Sequence, residues 1–111
     1  KMVKGKNYSQ VLTLGCEILE KTPDDLDVLF IVGGIFYMQK KFVKANECFD
    51  KILHVSSYDV DVLLLKATSL FELKRFDESI LCCNKIREVD PKNKDASHLL
   101  SNIGNSNTGP K

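Results

Sequence analysis

Apolar residues recur along this chain at the i, i+3, i+4, i+7 spacing that lines one face of an α-helix. Leu29, Val32, Gly33 and Phe36 make one such row and Leu63, Ala67 and Leu70 another. Two further rows run through Phe42, Ala45, Phe49 and Ile52 and through Phe76, Ser79, Cys83 and Ile86. A basic pair, Lys40-Lys41 or Lys74-Arg75, separates each row of the first kind from the row of the second kind that follows it. Pro91 cannot continue a helix, and Asp24, Asp25, Asp59, Asn93 and Asp95 stand where a following helix begins and its free N–H groups need caps. The pattern predicts six helices, at about 7–21, 26–39, 42–55, 60–73, 76–89 and 94–103. The small, polar residues 104–111 read as a disordered tail.

The rows repeat. Tyr8, Phe42 and Phe76 are 34 residues apart, and so are Pro23, Ser57 and Pro91, Ile18, Ile52 and Ile86, and Asp27, Asp61 and Asp95. Residues 26–59 and 60–93 are two full units, each a helical hairpin. Residues 7–25 match only the second half of a unit, and residues 94–103 only the first half. A period in this range is the signature of a solenoid, in which each unit buries its apolar face against its neighbours.

This register resembles the tetratricopeptide repeat, whose 34 residues carry large, small and aromatic residues and a proline at fixed positions. The second unit follows that pattern at Leu63, Ala67, Leu70, Phe71, Phe76, Ser79, Cys83, Ile86 and Pro91. The first follows it at Leu29, Val32, Gly33, Phe36, Tyr37, Phe42, Ala45, Phe49 and Ile52. Lys66 where leucine is usual, leucine for the initial tryptophan, and Ser57 for proline depart from it. The resemblance implies an all-α fold, an α-α superhelix of antiparallel hairpins. Gly33 and Ala67 are expected to meet Ala45 and Ser79, where bulk would hold the helices apart.

The resemblance further implies that the first helices line a concave wall that holds a peptide or a helix. Its inward positions here are Asp27, Phe30, Gly34, Tyr37 and Met38, then Asp61, Leu64, Thr68, Phe71 and Glu72, then Asp95, His98 and Asn102. That is an apolar strip edged by acids. The three aspartates also sit where a helix dipole stabilises a carboxylate, so they double as structural residues. One subset of such repeats clamps the C-terminal carboxylate of heat-shock chaperones with lysine, asparagine and arginine. The matching positions hold Phe30, Gly34, Leu65, Asp95 and Leu99, so the expectation is that a chaperone tail is not the ligand.

Independently of any resemblance, residues 26–38 and 60–73 are apolar almost all round, beyond the single stripe of a surface helix. Neighbouring helices, or a partner seated through i, i+3, i+4, i+7 anchors, must cover the second face. The expectation is an interaction module or scaffold segment for a protein or peptide. The alternative is a self-assembly element that stacks on further repeats or forms a homo-oligomer.

Composition narrows the other classes. The 111 residues leave room for one modest core. Sixteen Lys+Arg against fifteen Asp+Glu give a net charge of +1, and the acids of the wall disfavour a nucleic-acid partner. The longest apolar run, residues 26–38, is shorter than a membrane span, and no apolar signal segment follows the basic residues 1–6. Cys16, Cys48, Cys82 and Cys83 form no C-x-x-C, fall within helices and read as reduced, buried packing residues of an intracellular protein. His54 and His98 have no ligand-spaced partner, and no phosphate loop, G-x-S-x-G or H-E-x-x-H is present, so neither catalysis, metal nor cofactor is expected.

Overall fold

The computed structural model describes residues 5–107, and over these the chain forms α1 (Gly5–Lys21), α2 (Leu26–Met38), α3 (Phe42–Val55), α4 (Val60–Glu72), α5 (Phe76–Val89) and α6 (Lys94–Asn107). The starts follow from side-chain caps. Asp25 and Asp59 each accept a hydrogen bond from the backbone three residues on, Val28 N and Val62 N, at 3.1 Å. Asn93 Oδ1 accepts from Ala96 N at 2.8 Å. Each cap satisfies one of the N–H groups that a helix end leaves without an internal partner. Asp95, by contrast, is no cap: it lies within the first turn of α6, as Asp27 and Asp61 do in α2 and α4.

The hairpin turns are made by the basic pairs. Lys40 and Lys74 take left-handed backbone angles, φ 64° and 65°. This lets Lys41 N reach back to Phe36 O and Arg75 N to Leu70 O, both at 2.8 Å, and so closes the last turns of α2 and α4. An L-residue in that conformation costs roughly 1–2 kcal/mol, which is why glycine is the usual occupant. The returning helices α3 and α5 begin at the next residue but one.

α2 packs on α3 and α4 on α5 as antiparallel hairpins, α3 packs on α4, and the ends are completed by α1 against α2 and α6 against α5. α4 also touches both α2 and α6, so the three first-type helices stand side by side. One core gathers Leu29, Val32, Phe49, Ile52 and Val62, the other Leu63, Leu70, Ile86, Leu99 and Ile103. Each such side chain, fully buried, contributes about 1.5–3 kcal/mol.

Small residues fix the helix spacing, with one difference from expectation. The Ser79 hydroxyl donates to Ala67 O at 2.7 Å, joining α5 to α4 where the repeat pattern puts its small pair. At Gly33, however, the nearest atoms to an added Cβ belong to Phe49, at 2.8 Å, and Cys48, at 2.9 Å, rather than to Ala45. The Phe49 ring and Cys48 thus lie against the glycine.

Two further expectations are corrected. α6 continues through Ser106 and Asn107, so the segment from 104 begins as helix and not as a disordered tail; residues 108–111 lie outside the described residues. Ile103, buried in the core, holds the last turn down. Cys16 is exposed, whereas Cys48, Cys82 and Cys83 are buried, and all four are free thiols. Cys16 takes the register position of Asp50 and Asn84, which are exposed as well.

Candidate functional site

An open groove of about 370 Å³ runs between α4 and α6, lined by Leu64, Thr68, Phe71 and Glu72 on one side and Asp95, His98, Leu99 and Asn102 on the other. Its floor is apolar because Leu64 and Phe71 pack against the second core, and Leu99 is part of it. Thr68 adds no free donor, since its hydroxyl is turned back onto Leu64 O at 2.9 Å. The rim is polar: Glu72, Asp95 and His98 are exposed. Phe71 packs at a tilt against Phe76, ring centroids 5.6 Å apart, so the aromatic wall is braced across the turn that joins α4 to α5.

The wall residues of the first unit are not part of this groove. Phe30, Gly34 and Met38 line a second, more apolar groove of about 430 Å³ with Tyr8 and Val11 of α1 and Ile31 and Ile35 of α2. Asp27 lies with Asp59 at a third site, by the ends of α2, α3 and α4. Tyr37 packs against Phe42 with ring centroids 5.8 Å apart, the counterpart of the Phe71–Phe76 pair. Asp61 is exposed in the first turn of α4. The expected wall is thus two grooves rather than one strip. The side chains that the reading overlooked are Tyr8, Val11 and Ile31, at the α1–α2 end, and Leu99.

On the opposite side, Asp50, His54, Lys66, Glu78, Cys82 and Lys85 surround a depression between α3 and α5. Burial alone would lower the Lys66 pKa, but its ion pair and hydrogen bond with Asp50 outweigh burial and leave it raised. Lys66, the residue that departs from the repeat pattern, is therefore a held cation. Burial pushes the thiols of Cys48 and Cys83 up to about 11 and raises Cys82 as well, so all three stay protonated at neutral pH and are poor nucleophiles. Among the described residues no group of three histidine, cysteine or acidic side chains converges as a metal site. No described helix is long and apolar enough to cross a membrane.

Solved structures place this architecture. The first TPR of Spaghetti (RPAP3), bound to the HSP90 peptide SRMEEVD, superposes with a TM-score of 0.82 at 14% identity, over 94% of this chain and 82% of that one. The Arabidopsis OM64 TPR domain superposes with a TM-score of 0.77 at 18% identity, over 89% of this chain and 82% of its own. The fold is that of a tetratricopeptide-repeat domain. No family model matches the chain and no curated protein does, so the likeness lies in the fold.

With the tetratricopeptide fold in hand, the exclusion of a chaperone tail is corrected. A domain of this fold is bound to an HSP90 peptide, so such a ligand is within the range of the fold. Side-chain identities at Phe30, Gly34, Leu65, Asp95 and Leu99 do not remove it.

Proposed function

We propose that this tetratricopeptide fold serves as a non-catalytic protein-interaction module, seating an extended peptide or one face of a helix in the groove between α4 and α6. The observation that carries the reading is the composition of that groove: an apolar floor of Leu64, Phe71 and Leu99 beneath a rim of Glu72, Asp95 and His98. Burial of apolar anchors supplies the affinity, and the acidic rim sets the orientation of a ligand carrying basic or amide groups. A scaffold role without chemistry agrees with the protonated buried thiols and the separation of His54 from His98 onto different sides of the molecule. Free cysteines suit an intracellular, reducing setting.

The test is peptide binding by fluorescence anisotropy, with sequences selected from a random peptide library as the first probe and SRMEEVD, in which arginine is the one basic side chain, as the second. Leu64→Glu places a charge on the floor without opening the core, since Leu64 is only half-buried. Saturable binding that falls at least tenfold, about 1.4 kcal/mol, in this variant supports the groove, provided its circular dichroism is unchanged. Undiminished binding by the variant sinks it.

A further inference from the structure

We propose that the α4–α6 groove selects an extended segment of a partner protein that carries two basic side chains four positions apart and an apolar side chain midway between them. This rests on the groove reading above and adds to it the conformation, the charge and the spacing of the ligand.

The charge follows from where the chain puts its cations. Glu72 and Asp95 stand exposed on the rim, and neither carboxylate has an ion-pair partner among the described residues. No lysine or arginine is among the described residues that line the groove. Lys66 is held by Asp50 and Lys85 lies over the Tyr58 ring, both on the opposite side, and the basic pairs occupy the hairpin turns. The whole chain carries a net charge of +1, so it has no general attraction for cations, and a preference for a basic ligand is set inside the groove.

The spacing follows from the helices. α4 and α6 are first-type helices one repeat apart and run in the same direction. Asp95 therefore lies at the end of the groove where α6 begins, and Glu72 at the end where α4 finishes. From Leu64 to Glu72 the helix rises about 12 Å, and from Asp95 to Asn102 about 10 Å. An extended chain covers that distance in about four residues, and its first, third and fifth side chains point to the same face. Basic groups on the outer two then meet Asp95 and Glu72, while the middle side chain lies over Leu64, Phe71 and Leu99. Thr68 offers this floor no competing donor, since its hydroxyl is committed to Leu64 O. A helical ligand fits less well: one of the same length fills about 900 Å³, more than twice the groove of about 370 Å³.

The probes are three synthetic peptides with blocked termini, titrated into the isotope-labelled chain and followed by amide NMR shifts, which read weak binding. They are Lys-Ser-Leu-Ser-Lys, its rearrangement Lys-Lys-Leu-Ser-Ser, and Gln-Ser-Leu-Ser-Gln. At low ionic strength the first is expected to bind about fivefold more tightly than the glutamine peptide and about threefold more tightly than the rearranged one. The advantage should shrink as salt is raised. Glu72→Gln combined with Asp95→Asn should erase it while leaving the glutamine peptide's binding unchanged, and Glu47→Gln, at an exposed acid of α3, should leave it intact. All three substitutions are at exposed positions, and unchanged circular dichroism confirms folding. Equal binding of the three peptides, an advantage that survives loss of both carboxylates, or no saturable shift with any peptide overturns the proposal. The groove itself is judged separately by Leu64→Glu. Library-selected peptides that lose binding in that variant yet carry no basic pair keep the groove and overturn this ligand, whereas library peptides indifferent to Leu64→Glu overturn both.

Discussion

At the α5–α6 end of the stack Cys82, Ile86 and Leu99 are buried, while their register partners at the α1–α2 end, Leu14, Ile18 and Ile31, stand open to solvent. The sequence classes at the two ends are alike; what differs is the neighbour. α4 lies over the first set and no described helix lies over the second. α6 then closes its end with an outward edge of Ser97, Ser101 and Gly104, which needs no cover, whereas α1 presents leucine and isoleucine, which do. In a solenoid a residue's burial is thus decided by its position in the stack as much as by its type.

The largest expected effect sets Ile86 against Ile18. Ile86→Ala removes a side chain with no exposed surface and leaves a cavity under α4, which should cost about 2–5 kcal/mol. Ile18→Ala, at the same register position, trims a side chain already open to water and should cost about 1 kcal/mol or less. Urea denaturation of both variants measures the gap. Equal losses would mean that Ile18 is covered in solution and would abolish the contrast between the ends.

Much of this was legible in the chain itself. The starts of α2, α3, α4, α5 and α6 fall where the periodicity and the cap residues put them, because both signals are local. The membership of the α4–α6 groove was legible too, since Leu64, Thr68, Phe71, Glu72, Asp95 and His98 occupy matched positions on two adjacent helices. What stayed hidden depended on neighbours. Phe30, Gly34 and Met38 carry the same register numbers as the groove residues, but α1 stands at their side, and they form a groove with Tyr8 and Val11 instead. Cys16 lies within an amphipathic helix like the other cysteines, yet it is exposed where they are buried. The left-handed lysines were hidden for another reason: Lys40 and Lys74 occupy a conformation that composition assigns to glycine, and only the tightness of the turn demands it.

An intermediate effect, of opposite sign at neighbouring residues, comes from the two glycines of α2. Gly33→Ala would push a Cβ to within 2.9 Å of both the Phe49 ring and Cys48, and relief of that overlap should cost about 1–3 kcal/mol, partly offset by better helix propensity. Gly34→Ala meets open space and should raise stability by up to about 1 kcal/mol, the helix propensity difference alone. Thermal unfolding of the two variants sharpens the comparison, because Gly34 faces the open end and Gly33 the closed hairpin. A loss at Gly34 would show that something already occupies the α1–α2 groove.

The smallest effect is read through the thiols. Cys16, at the open end, should react with a disulfide reagent in the folded protein at pH 8, while Cys82 and Cys83 wait for unfolding. Their buried thiols also set a pH dependence. Cys83 ionises near 11 when folded against 9.0 for its ordinary value, so between these limits the unfolded chain has lost a proton that the folded chain keeps. Stability is therefore whole below pH 9 and declines as pH rises towards 11. Cys83→Ala should flatten that decline as followed by urea midpoints at pH 8, 9.5 and 10.5. An undiminished decline would mean that burial does not hold the Cys83 proton, and the closed end would lose its most local mark.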